Sequence, residues 1–347
     1  MKKTKKFLAL ALSLCMAVVL MTGCGSSGSA PDSDTSDASP GDSSSAEYTF
    51  QVGHVVTSDH SYHLGLQRFA ELLSEKSNGR IALEIFPSGQ LGNESDLTEG
   101  VVMGTVDMAL VNSGNLASFT DAYSLFDLPF LFRDEEHARS VITGEIGQEC
   151  LDSLEPLGIK GLANWEAGFF CIWNSKRAIE NPEDVVGLKI RANNNPIHIA
   201  AYNAMGVAPT TMGWSEVYTA IQNGTVDGVS VAITSMYTAN IQEVAPYIST
   251  SGEFYVTAPL IMNADRFNSL PEDIQTIILE AANEATDYQI QTNGEMVEQF
   301  IQNLKDEGYQ VTEPDKAAFK EVCWDSVYDQ FVEQIGAERI DDVLNNY

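Results

Sequence analysis

The sequence predicts an α/β protein built from two similar lobes, and three observations carry that expectation. Beyond residue 47, short runs that alternate like strands are separated by segments with apolar residues at helical spacing. The tetrapeptide Gly104-Thr-Val-Asp107 recurs as Gly224-Thr-Val-Asp227, each time after an apolar helix and before an apolar strand. The length of 347 residues accommodates two medium domains or one large one. Both tetrapeptides read as a glycine helix stop followed by a tight turn into a buried strand. As equivalent elements of two lobes, they would bring the strand ends at Asn112 and at Ser230-Val231 to face each other across a cleft.

Residues 1–23 have a basic start (Lys2, Lys3, Lys5, Lys6), an apolar run from Phe7 to Met21, and small residues before Cys24. That is the pattern of an export signal rather than a spanning helix. Residues 24–46 are Ser, Asp, Gly and Pro with almost nothing to bury, and predict a flexible acidic tether. Tyr48 to His54 is the first expected strand, with Phe50 and Val52 on one face. Ser61 to Ser77 carries Leu66, Phe69, Ala70 and Leu73 at helical spacing and is stopped by Asn78-Gly79. Ile81, Leu83 and Ile85 alternate as a second strand. After a turn-rich loop, Pro87 to Gly92, come a helix (Glu94 to Met103) and a strand (Val106 to Val111) ending at Asn112-Ser113-Gly114.

Ile159 to Asn174 is extended and aromatic, and core packing accounts for most of Trp165, Phe169, Phe170 and Trp173. The run from Leu188 ends on Arg191 and meets three asparagines and Pro196. Arg191 thus falls where a strand gives way to a loop, the usual place for a ligand contact in an α/β sheet. A guanidinium there stays protonated and can hold a carboxylate through two parallel bonds. A helix opening near Pro196, capped by Asn194 or Asn195, would add free amides facing an anion. Ser269-Leu-Pro-Glu272 has the order of a helix cap, N1 proline and capping-box glutamate. The helix that follows runs to about Glu307 with an interruption near Gly294, and Ala317 to Ala337 forms the last helical material.

The formal net charge is −30, and loss of the four-lysine leader would make it more negative. So acidic a chain is a poor partner for nucleic acid or an anionic membrane surface. It also repels anionic ligands at long range, so local cations must decide what binds. Beyond Cys24, Cys150, Cys171 and Cys323 show no CxxC spacing and are expected as buried thiols. His60 and His63 share a helix face near His54, but no HExxH or other ligand set completes a metal site, so helix-start and surface roles are expected. GxSxG, GxxxxGK and a well-placed GxGxxG are all missing, and no catalytic residue, cofactor or metal is expected.

Several motifs stand in a telling order: Gly53-His54, Asn78-Gly79-Arg80, Pro87-Ser-Gly-Gln-Leu-Gly92 and Leu128-Pro-Phe-Leu-Phe132. They are followed by Gly187-Leu-Lys-Ile-Arg191, Met205-Gly206, Glu216-Val-Tyr-Thr-Ala-Ile221 and Asp227-Gly228. Together they resemble the solute-binding proteins of TRAP transporters, the tripartite ATP-independent periplasmic family, over nearly all of the chain after residue 47. The resemblance implies a two-lobed, periplasmic-binding-protein-like α/β fold with hinge strands and a long C-terminal helix spanning both lobes. Lobe 1 would comprise residues 47–168 plus 257–296, and lobe 2 residues 169–256 plus 297–347. Met21-Thr-Gly-Cys24 resembles a bacterial lipobox, which implies lipidation of Cys24 and anchoring on the outer face of the cytoplasmic membrane.

Carried over by position, the resemblance implies that Arg191 binds a carboxylate and that Trp214 packs over the ligand. His54, Asn93, Asn112 and Asn194 fall at polar cleft positions, and Ser230 and Val231 at the pair after the Asp-Gly. Two departures matter: Phe170 stands where the family often has arginine, and Val231 where it usually has asparagine. A ligand with one anionic group and a smaller or more apolar remainder is therefore expected, with four-carbon dicarboxylates and sulfonates still open. The implied function is a monomeric, non-enzymatic receptor that delivers a small organic acid to small and large TRAP membrane subunits. A sensory receptor of the same fold and a secreted hydrolase are the alternatives.

Overall fold

The computed structural model describes residues 46–121 and 123–347; the leader, the tether and Cys24 lie outside the described residues. The chain opens with β1 (Tyr48–Gly53), α1 (Ser61–Ser77), β2 (Ile81–Phe86), α2 (Glu94–Met103), β3 (Met108–Leu110) and the short α3 (Ser113–Leu116). α4 (Glu135–Ile142) and α5 (Glu145–Asp152) lead into the long β4 (Ile159–Asn174). A second alternating series follows: β5 (Lys189–Ala192), α6 (Pro196–Ala204), β6 (Ala208–Thr211), α7 (Val217–Gln222), β7 (Gly228–Ala232), α8 (Ile233–Thr238) and β8 (Tyr247–Ser249). The chain closes with β9 (Tyr255–Asn263), α9 (Ala264–Asn268), α10 (Glu272–Asp306), β10 (Gln310–Thr312), α11 (Lys316–Ile335) and α12 (Ala337–Asn346).

Two sheets, one per lobe, share β4. The strand order is β2-β1-β3-β9-β4-β7-β5-β6, with β8 beside the second half of β4 and β10 beside β8. Residues 159–169 of β4 pair antiparallel with β9, whereas residues 170–174 pair with β7 and, from Ile172 on, also with β8. Every residue of β9 is buried, as a strand covered on both faces requires.

The repeated tetrapeptide has the same structure twice. Gly104 (φ 71°) and Gly224 (φ 72°) sit in the left-handed region that ends α2 and follows α7. The Asp107 carboxylate accepts the Gln51 N–H on β1 at 2.9 Å, and Asp227 accepts the Lys189 N–H on β5 at 2.9 Å. Each aspartate then enters a strand, β3 or β7, that runs parallel to one neighbour and antiparallel to β9 or β4. β3 is shorter than expected because the Thr105 and Val106 amides still bond to Gly100 O at the end of α2.

α10 is the brace. Its face of Ile274, Ile278, Ala281, Ala282 and Ala285 is buried, and it packs on α1, whose Leu66, Phe69 and Leu73 are also buried. Each large side chain so buried contributes roughly 1.5–3 kcal/mol. Further along, α10 reaches the place where β4 bulges between Glu166 and Gly168 (φ 99°). At the bulge Glu166 stays in register with Thr257, and the buried Gln289 amide satisfies its main chain, accepting from Glu166 N (3.1 Å) and donating to Glu166 O (2.9 Å). The Glu166 side chain accepts from Arg139 Nε (2.8 Å) and Nη2 (2.9 Å), from Asn293 Nδ2 (3.1 Å) and from the Tyr255 hydroxyl. One buried carboxylate thus ties α4, α10, β4 and β9 together at the crossing.

Several local expectations are corrected. Ser269 does not cap α10; its hydroxyl donates to Arg266 O at the end of α9, and Pro271 is the residue before the helix. α10 is continuous through Gly294, because packing of Asn293 against the β4 bulge outweighs the roughly 1 kcal/mol helix penalty of a glycine. A further helix, α12, follows Gly336. His60 and His63 are buried rather than on the surface. Cys150, Cys171 and Cys323 are buried thiols that form no disulfide.

Candidate functional site

Arg191 is placed by main-chain pairing. β5 lies between β6 and β7, with Arg191 opposite Thr210 and Val229, and Asp227 holds the strand by its first amide. Arg191 is only 7 % exposed. Its Nε and Nη2 both donate to the carbonyl of Met212, just past β6, at 3.1 and 2.9 Å. Burial lowers its pKa, opposed by the Glu94 charge, but a guanidinium remains protonated. Among the described residues no carboxylate lies within 4 Å of it, and Nη1 has no hydrogen-bond partner. A buried cation fixed in position by a neutral carbonyl is poised for an anion from outside the chain.

Arg191 opens on a cavity of about 490 Å³ between the loop before α2 and the segment after β6. A smaller recess of about 20 Å³, room for roughly one water, shares Val55, Glu94, Asn115, Arg191, Asn193 and Trp214 with it. The Trp214 ring lies 5.9 Å from the Arg191 guanidinium carbon, within range of a cation–π contact that also shields the charge from water.

The expected site residues fall into two groups. Arg191, Trp214, Asn93 and Asn194 line the main cavity, and Asn112 and Phe170 line the recess with Arg191 and Trp214. His54 and Ser230 reach neither wall. His54 is buried with its Nε2 3.0 Å from His63 Nδ1, and burial, then the neighbouring ring, holds its pKa down to about 3. Ser230 is turned the other way, donating to the buried Glu253 carboxylate. Asn93 mainly caps α2, its Oδ1 accepting from the amides of Ser95 and Asp96. At α6 the cap is Asn195, whose Oδ1 takes the Ile197 and His198 amides at 2.9 and 3.0 Å; those N–H groups do not face an anion. Asn195 Nδ2 donates to Asp127 (2.6 Å) and Gly114 O (3.3 Å), and a Cβ on Gly114 would come within 2.5 Å of Asn193 Nδ2. The glycine permits this close approach beside the site.

Glu94, Asn115, Asn193 and Ser235 are wall residues that the sequence reading did not single out. Glu94 is the first residue of α2; its oxygens accept from the Asn112 N–H at 2.8 Å and from Asn115 Nδ2. Burial pushes its pKa up to about 7, opposed by the Asn112 amide and by the Arg191 charge. A cation and a carboxylate therefore stand in the same chamber without pairing, which suits a ligand that bridges them. Only the Asn-Glu order at a helix start could have hinted at Glu94, and that order also describes an ordinary cap.

The profile of family 7 of the bacterial extracellular solute-binding proteins, DctP, matches residues 52–334. The 2,3-diketo-L-gulonate-binding periplasmic protein YiaO of Escherichia coli is 34 % identical over 294 residues, covering 84 % of this chain and 90 % of that protein. The C4-dicarboxylate-binding periplasmic protein DctP of Rhodobacter capsulatus is 35 % identical over 84 % of this chain and 88 % of its own length. A TRAP periplasmic solute-binding protein from Polaromonas sp. JS666, solved with D-erythronate, superposes with a TM-score of 0.83 at 34 % identity, covering 86 % of this chain and 98 % of that one. Among the described residues no helix is long and apolar enough to cross a membrane. The chain belongs to family 7 of the bacterial extracellular solute-binding proteins, the non-enzymatic extracytoplasmic receptors of TRAP transporters.

Proposed function

We propose that this protein captures a small organic acid between its lobes through Arg191 and delivers it to the small and large membrane subunits of a TRAP transporter. The observation that carries the reading is the unpaired, buried guanidinium opening on the 490 Å³ cavity. The ligands in the names of the relatives, a diketogulonate, C4-dicarboxylates and D-erythronate, all contain a carboxylate, which is the group such a guanidinium holds. Trp214, Phe170, Asn93, Asn112 and Asn194 supply the remaining contacts. Residues 47–168 plus 257–296 close on residues 169–256 plus 297–347 about β4 and β9, excluding water and strengthening the charge-assisted bonds. Lipidation of Cys24 anchors the receptor on the outer face of the cytoplasmic membrane. Replacing Cys24 by Ser should then release it from the membrane fraction.

Thermal shift and calorimetry with a panel of carboxylates and sulfonates test the binding reading. Two charge-assisted bonds contribute about 3–6 kcal/mol, so Arg191→Ala should weaken the cognate acid by roughly 10²–10⁴-fold. An unchanged affinity in the variant would refute the role of Arg191. A folded wild type that responds to no anion would refute organic-acid capture altogether.

A further inference from the structure

In the recess beside Arg191 the hydrogen-bonding polarity of two more groups is fixed by the fold. His60 is fully buried, and its Nδ1 accepts the Tyr62 N–H at 3.1 Å as the cap of α1. Burial holds this imidazole neutral, so its single proton sits on Nε2. That N–H is 3.0 Å from Ser235 Oγ and donates to it. Ser235 is itself only 6 % exposed and has no other side-chain hydrogen bond among the described residues. It lines the recess, so its own O–H remains to be donated there. Glu94 has the opposite polarity: ionised, it only accepts, each oxygen takes one protein N–H, and no cation lies within 4 Å among the described residues. Val55, Val56, Phe170 and Val231 make the apolar part of the recess, while Asn112, Asn115, Asn193 and Trp214 bring neutral N–H groups and Arg191 is the one cation on its wall among the described residues.

We propose that the cleft selects a hydroxy monocarboxylate over the corresponding diacid. The ligand carboxylate sits on Arg191, a ligand oxygen takes the Ser235 O–H, and a hydroxyl further along the ligand donates to Glu94. The proposal rests on Arg191 as the anion anchor. At pH 8, where Glu94 is mostly ionised, a second carboxylate at its end would meet that charge with no second cation on the wall to offset it, whereas a hydroxyl there fills a vacant acceptor.

Matched pairs that differ only in a terminal CH₂OH or carboxylate test this: D-erythronate against meso-tartrate, and D-galactonate against galactarate. Calorimetry at pH 8 should show the hydroxy acid of the better-fitting length binding at least tenfold tighter than its diacid. Glu94→Gln should narrow that ratio at least fivefold, chiefly by improving the diacid, and Ser235→Ala should weaken both members of a pair by similar factors of a few. Circular dichroism checks that each variant folds. A diacid that binds wild type as tightly as its partner, with both lost in Arg191→Ala, would overturn the selectivity and leave the anchor standing. A ratio untouched by Glu94→Gln would overturn the role of Glu94. No binding by any of the four acids would overturn this proposal, and silence across the wider anion panel as well would overturn the receptor reading.

Discussion

Glu94 gives the fold a proton dependence that can be measured without any ligand. Its carboxyl is pushed from the ordinary 4.5 to about 7 by burial, with the Asn112 amide and the Arg191 charge opposing. The protonated form is the one the fold favours. Its contribution to stability is complete below about pH 4.5, where folded and unfolded chains both hold the proton. Between 4.5 and 7 the unfolded chain ionises first, so the contribution shrinks, and above 7 it is gone. A shift of this size corresponds to about 3 kcal/mol at ~1.4 kcal/mol per unit; solvent on the cavity side reduces the expectation to about 1–3 kcal/mol. Glu94→Gln keeps the size and an acceptor for Asn112 but cannot ionise. Urea unfolding of wild type and Glu94→Gln at pH 5, 6, 7 and 8 isolates the effect, because every other titration cancels in the difference. Relative to the variant, wild type should lose its 1–3 kcal/mol as pH rises, with most of the change between pH 5 and 7.5. A difference that stays constant within about 0.5 kcal/mol would refute a buried, proton-linked Glu94.

Two further perturbations probe the frame around the site. Glu166→Gln removes the charge that joins Arg139, Tyr255 and Asn293 at the crossing; with Arg139 only partly buried, equilibrium unfolding should show a loss of about 2–4 kcal/mol, and a loss under 1 kcal/mol would mean the network is dispensable. Asp107→Ala and Asp227→Ala remove equivalent strand-holding bonds, to Gln51 and Lys189, and each should cost about 1–2 kcal/mol. Only Asp227 holds the strand that carries Arg191, so calorimetry with the cognate acid should show several-fold weakening in Asp227→Ala and less than twofold in Asp107→Ala. Equal effects on affinity would break the link between β5 and the site.

The sequence by itself determined the elements and much of their arrangement. Helical spacing and the Asn78-Gly79 stop bounded α1 at Ser61 and Ser77, because local periodicity and left-handed caps are properties of the chain alone. The repeated Gly-Thr-Val-Asp announced a duplicated turn, and both copies fold alike because φ > 0 at the glycine and a short carboxylate after it suit the same local geometry. Arg191 was legible as a cation at a strand end, and Trp214 and the asparagines Asn93, Asn112 and Asn194 as cleft positions. What side chains turn toward, and what stands opposite them, only the tertiary structure decided. His54 and Ser230 look as exposed in sequence as Asn112, yet pairing with His63 and with Glu253 takes both away from the cavity. Ser269 has every local feature of a cap, but α9 uses its hydroxyl first. Glu94 and Ser235 carry no distinguishing sequence context; Glu94 becomes a chamber wall because Asn112 and Asn115 fold back onto it. Ser235 becomes a donor because His60, 175 positions away, reaches it across the molecule. Charge and polarity are written residue by residue, but their meaning depends on burial and partners, and those are set by which distant segments the packed core brings together.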